Sequence, residues 1–264
     1  MRPEVTYMVR PMSKSPQTGP KMAGTLALLA AALAVASCSE SESPISEVPT
    51  PSAVPARAVA VVGDTEISND DFRDALKVGL TGYDPLSPTR ATPEPLDPPK
   101  FGKCVSAIEQ RAQDDPDLKG LSRATFLDSC RQRYDQLRSL TLSRLIEQRW
   151  ALVEADLEGL EVSGPEADAF VDQVRLSWAA DPVRSRARFE KALATSGISP
   201  SELSARAEAA VAQQKLASLR ASEGESPEAA TENQRERFDL WRSKTLCAES
   251  LLVPQCSNGP ESGA

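Results

Sequence analysis

The sequence predicts a mainly α-helical fold, a helical bundle around one long helix with a small N-terminal β-hairpin that a C-terminal strand can join. Residues 122–160 contain no proline and place apolar side chains three and four positions apart, as in an amphipathic helix. A β-branched run at 58–62 is followed by a Gly-Asp turn signal and a second short run at 65–67. Aromatic residues make up only 5% of the chain, and its 21 prolines cluster, which fits helices joined by irregular segments.

Composition excludes several classes of function. The chain has 264 residues, a net charge of −8 and no histidine. Without histidine there is no Ser-His-Asp triad, Cys-His dyad or HExxH zinc site. The acidic balance argues against nucleic acid as a partner, since such proteins carry a basic surface. The GxSxG, SxxK, GxGxxG and Walker patterns are absent, so we predict no catalytic residues, metal or cofactor.

Residues 1–37 have the plan of an export signal. Basic residues precede a weakly polar to apolar run, 22–36, that is too short for an ordinary transmembrane span. The run ends in Leu-Ala-Val-Ala-Ser-Cys, which resembles a bacterial lipobox, so Cys38 is the predicted lipidation site. Cleavage after Ala36 with a free Cys38 is the alternative. Two acyl chains would anchor the protein to the extracytoplasmic face of the cell membrane.

Residues 38–57 are rich in proline, serine and glutamate, which predicts a disordered tether. In the polyproline form its residues after Cys38 would reach roughly 55 Å from the membrane at about 3.1 Å per residue.

The predicted folded body covers residues 58–258. Ser68 and Asp71 form a capping box for a helix to about residue 80, and a proline-rich loop follows at 83–100. A shorter helix is expected at 101–113. The aspartates after it lack EF-hand spacing and indicate a solvated turn.

Three further helix starts follow the long helix. Ser163 and Ser199 are capping serines close to a proline, and Asp181-Pro182 starts the helix between them. We expect a flexible linker at 221–231, a last helix at 235–245, a strand at 251–253 and a loose tail at 259–264.

If Cys38 is lipidated, four cysteines remain, and three pairings are possible. Short sequence separation favours the pairs Cys104–Cys130 and Cys247–Cys256. Buried free thiols are the alternative. No CxxC motif occurs, which argues against a redox-active pair.

Three segments in this order resemble the N-terminal chaperone module of SurA- and PrsA-type extracytoplasmic foldases. They are AVAVVGDTEISNDDFRDAL, SRLIEQRWALVEADLEGLEVSGPEADAFVDQVR and ISPSELSARAEAAVAQQKL. In that family a final helix precedes a parvulin-type prolyl isomerase domain, and a C-terminal helix and strand return to the module. Only residues 221–234 stand where that domain would be inserted, and the family's isomerase uses histidines, so its catalytic part does not carry over.

The resemblance implies a membrane-anchored holdase that binds unfolded exported polypeptides in an apolar cradle. Trp150, Trp178 and Trp241 are candidate cradle residues, with a place in the core as the alternative for each. Two other functions stay open. One is a peptidyl-prolyl isomerase, and the other is an adaptor lipoprotein that binds one folded partner.

Overall fold

Helices make up most of the chain in the computed structural model, which describes residues 43–82, 84–87, 95–222 and 227–260. The predictions for residues 1–37, for Cys38 and for the tail after residue 260 lie outside these ranges. In the described ranges there are seven α-helices: α1 Asn69–Thr81, α2 Gly102–Arg111, α3 Arg123–Leu157, α4 Gly164–Ser177, α5 Pro182–Ser196, α6 Pro200–Ser222 and α7 Pro227–Ser243. Within them no helix is both long and apolar enough to cross a membrane.

The long helix α3 has 35 residues and is about 52 Å long. Its start is fixed by Ser122, whose hydroxyl accepts the backbone N–H of Thr125 at 3.2 Å. It ends just before Gly159, which has the left-handed φ of +67° that favours glycine. The helix predicted over 122–160 is therefore present with nearly the same bounds.

Three strands form one antiparallel sheet in the order β2-β1-β3, with β1 Ala58–Val62, β2 Thr65–Ser68 and β3 Thr245–Cys247. The hairpin of β1 and β2 lies where the sequence predicted it. All five residues of β1 are buried, as expected for a central strand covered on both faces.

The position of the C-terminal strand was predicted wrongly. The strand is Thr245–Cys247, directly after α7, and not 251–253. The backbone N–H of Cys256 donates to Val253 O at 3.0 Å, so the chain after β3 curls back. Leu251 and Val253 still enter the core from this irregular segment, which explains why an apolar run there imitates a strand.

Predicted caps are present at both ends of several helices. Ser68 with Asp71 and Ser163 with Glu166 each form a capping box, in which side chain and backbone exchange hydrogen bonds. Gly197 ends α5 with a left-handed φ of +66°.

The predicted linker at 221–231 is shorter in the structure. Helix α6 continues to Ser222, and α7 begins at Pro227 rather than at 235. Proline suits the first turn of a helix, and the Glu-Ala-Ala that follows has high helix propensity, so the segment extends the last helix backwards.

The predicted disordered tether at 38–57 is also wrong for its described part, residues 43–57. Pro44–Glu47 form a 3-10 turn, and Ile45 is only 1% exposed. Ile45 and Val48 belong to the main core, so the folded body begins before β1. The physical reason is that two β-branched side chains three positions apart can be buried together even in a segment rich in proline and serine.

Three clusters of buried side chains hold the body together. The sheet core joins the three strands and the 3-10 turn with α1, the middle of α3, and α7. A second cluster packs α2 on the start of α3, around Phe101, Ile108 and Phe126. A third joins α3 to α6.

Two disulfides are present, with the pairing expected from sequence separation. Cys104–Cys130 joins α2 to α3, with Cα atoms 6.2 Å apart. Cys247–Cys256 closes the segment after β3, with Cα atoms 5.7 Å apart. Both distances lie in the normal range for disulfides.

Candidate binding groove

An open groove of about 610 Å³ lies between α4 and α6. Ten residues line it, of which five are polar or charged and five are apolar; the apolar ones are Leu160, Ala169, Phe170, Val211 and Leu219. Ala169 and Phe170 lie on α4 and Val211 and Leu219 on α6, whereas Leu160 lies in the segment between α3 and α4. Phe170 and Leu219 are only partly buried, so they present apolar surface to the groove.

One wall of the groove is fixed by an ion pair between Lys215 and Glu166. Lys215 Nζ lies 2.6 Å from Glu166 Oε1, and it also donates to the Glu161 carbonyl at 2.6 Å. Glu166 accepts in addition the backbone N–H and the hydroxyl of Ser163, both at 2.9 Å. The hydrogen bond from Lys215, together with those from Ser163, lowers the pKa of Glu166 to about 2.

Further apolar side chains are exposed on the helices of this region. Leu176 on α4 is 60% exposed, and Val183 on α5 is 78% exposed. Neither residue lines the groove, and single exposed apolar side chains are common on protein surfaces.

Helix α6 contacts α3 through an apolar cluster that includes three alanines. Ala151 and Ala155 of α3 meet Ala212 and Leu216 of α6. This contact lets the two helix backbones approach closely. Leu219 of α6 is not part of this cluster and lines the groove instead.

A second cleft runs between α3 and α6 beside α1 and is more polar. Its volume is about 360 Å³, and Arg206 lies in its wall. Arg206 is 8% exposed and pairs with Glu202 at 2.8 Å and with Asp84 at 3.8 Å. Asp84 also pairs with Arg144 at 3.2 Å. These paired charges link the start of the proline-rich loop to α3 and α6.

A third cleft, also of about 360 Å³, lies between α3, α6 and α7. Its base is the buried Glu154, which forms ion pairs with Arg237 and, at 3.0 Å, with Arg220. Trp241 Nε1 donates to the same carboxylate at 3.1 Å. Burial lowers the pKa of Arg237, because desolvation disfavours its charged form.

The three tryptophans do not line one cradle. Trp150 and Trp241 are 7% and 2% exposed and stack with ring centroids 6.1 Å apart. Trp150 Nε1 donates to Thr245 Oγ1 at 2.8 Å. Both are core residues that also line the third cleft, so their role in client binding stays a prediction.

Trp178 is half-buried at the end of α4. Its Nε1 donates to the carbonyl of Pro85 at 3.0 Å and thereby holds the start of the proline-rich loop. The predicted loop over 83–100 is irregular in its described parts, 84–87 and 95–100. Residues 83 and 88–94 lie outside the described residues.

The groove residues were not singled out from the sequence as a site. Their periodicity predicted buried helix faces. A signal for a binding site was nevertheless present in the sequence, because the two helices that carry Phe170, Val211 and Leu219 also have other apolar positions. Nowhere in the described chain do three acidic or cysteine side chains gather to form a metal site. Comparison with models of protein families, with curated proteins and with solved structures found no match.

Proposed function

We propose that the protein is a membrane-anchored holdase that binds unfolded exported polypeptides on the extracytoplasmic side and has no isomerase activity of its own. The observation that carries this proposal is the open groove between α4 and α6, which is about 610 Å³ in volume and has five apolar residues among the ten that line it. A chain with exposed apolar side chains can bury them there without a defined sequence.

The energetics suit transient binding. Burial of about 200 Å² of apolar surface would supply about 5 kcal/mol, at about 25 cal/mol per Å². Ordering of a flexible client and loss of its translational freedom oppose this gain. The result is weak binding that tolerates many sequences and allows release.

Two features support an extracytoplasmic location. The segment ending at Cys38 resembles a lipobox, and the body holds two disulfides, which persist in oxidising compartments. The body is also mainly helical with a small antiparallel sheet, as the resemblance to the chaperone module implies.

Isomerase activity has little support. Only residues 223–226 separate the end of α6 from the start of α7. A domain that folds independently needs about 40 residues or more, so no isomerase domain fits there. The alternative is tested by a proline-peptide isomerisation assay, in which acceleration above background would contradict the proposal.

The holdase function is tested by aggregation of a chemically unfolded model client in the presence of residues 39–264. We expect the protein to suppress light scattering at a few-fold molar excess. Ala169→Glu places a charge in the groove at an exposed position and should weaken suppression several-fold.

The matched control is Ala187→Glu, the same substitution at an exposed position of α5 that does not line the groove. It should suppress aggregation as well as the unmodified protein does. Equal activity of both variants would exclude the groove as the binding site. Complete lack of suppression by the unmodified protein, with recovery of one stoichiometric folded partner in pull-downs, would favour the adaptor function.

A further inference from the structure

The first described residues of the chain are held tightly against the body. Ile45 and Val48 are 1% and 7% exposed and lie in the sheet core. Lys244 Nζ donates to the carbonyl of Ser46 at 3.2 Å and to Thr50 Oγ1 at 3.4 Å. The chain is therefore fixed to the body from about residue 44 onward.

Gly63 shows how closely this segment fits. It has a φ of +60° at the hairpin turn, and a Cβ atom there would lie 2.7 Å from Val48 Cγ1. The hairpin turn therefore has space for Val48 only because residue 63 carries no side chain. Close packing of this kind is a property of the folded core rather than of a loosely attached tether.

This fixed segment limits the distance between the body and a lipid at Cys38. Five residue steps join Cys38 to Ser43. At about 3.6 Å per residue, their greatest possible length is about 18 Å. This limit holds for any conformation of these residues, and it is about a third of the roughly 52 Å length of α3.

We propose that the body lies directly against the bilayer, with the surface around Pro44–Glu47 and Lys244 turned towards the lipid headgroups. The proposal rests on the lipid anchor of the proposed function. Residues 38–264 hold 26 basic and 37 acidic residues, so an anionic bilayer would not attract the body by itself. The short connection to the lipid alone sets the distance.

The test measures energy transfer from a fluorophore on the body to acceptor lipids. Ser243→Cys labels an exposed position next to Lys244, in the lipidated full chain reconstituted into vesicles. A 20-residue Gly-Ser spacer inserted between Ser41 and Glu42 would add a root-mean-square reach of about 25 Å. We expect the spacer to lower the energy transfer about two-fold or more, because the body can then move away from the bilayer surface.

A second variant releases the docked segment without changing the chain length. Ile45→Asp places a charge in the core and should free residues 43–57, so transfer should fall as it does with the spacer. Ile45→Val keeps the apolar contact and should leave transfer unchanged. Circular dichroism checks the fold of each variant, and the spacer, which lies outside the described fold, decides the matter if Ile45→Asp does not fold.

The outcomes separate this inference from the proposed function. Equal transfer with and without the spacer, on chains shown by mass spectrometry to carry a lipid at Cys38, would overturn the inference and leave the holdase function standing. A mass without lipid would overturn both the anchor and the inference. Lower transfer with the spacer and an unchanged Ile45→Val variant would support the inference.

Discussion

The sheet core and the groove layer, which we define as α4, α5 and α6, are built from different side chains. In the sheet core Trp150 stacks on Trp241, and Phe238 meets Trp150 edge-on with ring centroids 5.7 Å apart. The groove layer instead contacts α3 through a cluster of three buried alanines and Leu216, and Phe170 of α4 is only partly buried.

Covalent cross-links follow the same division. Both disulfides lie outside the groove layer, and no cysteine occurs between residues 131 and 246. The comparison indicates that stability comes mainly from the sheet core and α2, whereas the groove layer provides the accessible apolar surface. Substitutions in the two regions should therefore have separable effects.

The largest expected difference comes from removing a core ring. Trp241→Ala should lower the free energy of unfolding by about 4 kcal/mol, because the residue is 2% exposed and its removal leaves a cavity. Val183→Ala in the groove layer is the control and should change it by less than about 0.5 kcal/mol. Urea unfolding measures both values. A similar loss in the two variants would contradict the comparison.

Loss of a disulfide should have the next largest effect. Replacing Cys104 and Cys130 by alanine should cost about 3.5 kcal/mol, since the bond closes a 26-residue separation. The same change at Cys247 and Cys256, 9 residues apart, should cost about 2.5 kcal/mol. Urea unfolding of the two double variants gives the order, and the reverse order would show that loop length does not set their contributions.

Glu154 joins the two regions, since it binds Arg220 of the groove layer and Arg237 of α7. Glu154→Ala should cost about 3 kcal/mol, because it leaves Arg237 partly buried without its carboxylate. Glu158→Ala, at an exposed position at the end of α3, is the control and should have little effect. Equal unfolding free energies for both variants would show that the buried pair contributes nothing.

The smallest effect concerns the groove wall and depends on pH. The pKa of Glu166 is about 2 in the folded protein, below its ordinary value of 4.5, so its stabilising contribution is present above about pH 5 and disappears as the pH falls towards 2. The melting temperature of Glu166→Gln should therefore lie slightly below that of the unmodified protein at neutral pH and approach it in acid. Glu190→Gln, an exposed position on α5, is the control. A difference in melting temperature between Glu166→Gln and the unmodified protein that is the same at neutral and at acid pH would contradict this account.

Much of the fold could be predicted from local sequence signals. The bounds of α3, the hairpin and the two capping boxes follow from short-range patterns, such as a serine three positions before a carboxylate. The disulfide pairing followed from sequence separation, because each pair closes a short segment.

What could not be predicted depends on contacts between distant segments. Strand β3 is only Thr245–Cys247, and it is a strand because it pairs with β1. Ile45 lies in a segment with the composition of a disordered tether, yet the core has space for it. The groove depends on which apolar positions of α4 and α6 stay uncovered, and periodicity does not distinguish a filled helix face from an open one.

The pairing of Ala60 with Cys247, 187 positions later, has a consequence for how the chain folds. The central strand β1 can pair with β3 only when almost the whole polypeptide is available. Until then one edge of β1 has no partner strand, and the aromatic stack lacks Trp241. The sheet and the aromatic stack are therefore completed only when nearly the whole chain is available.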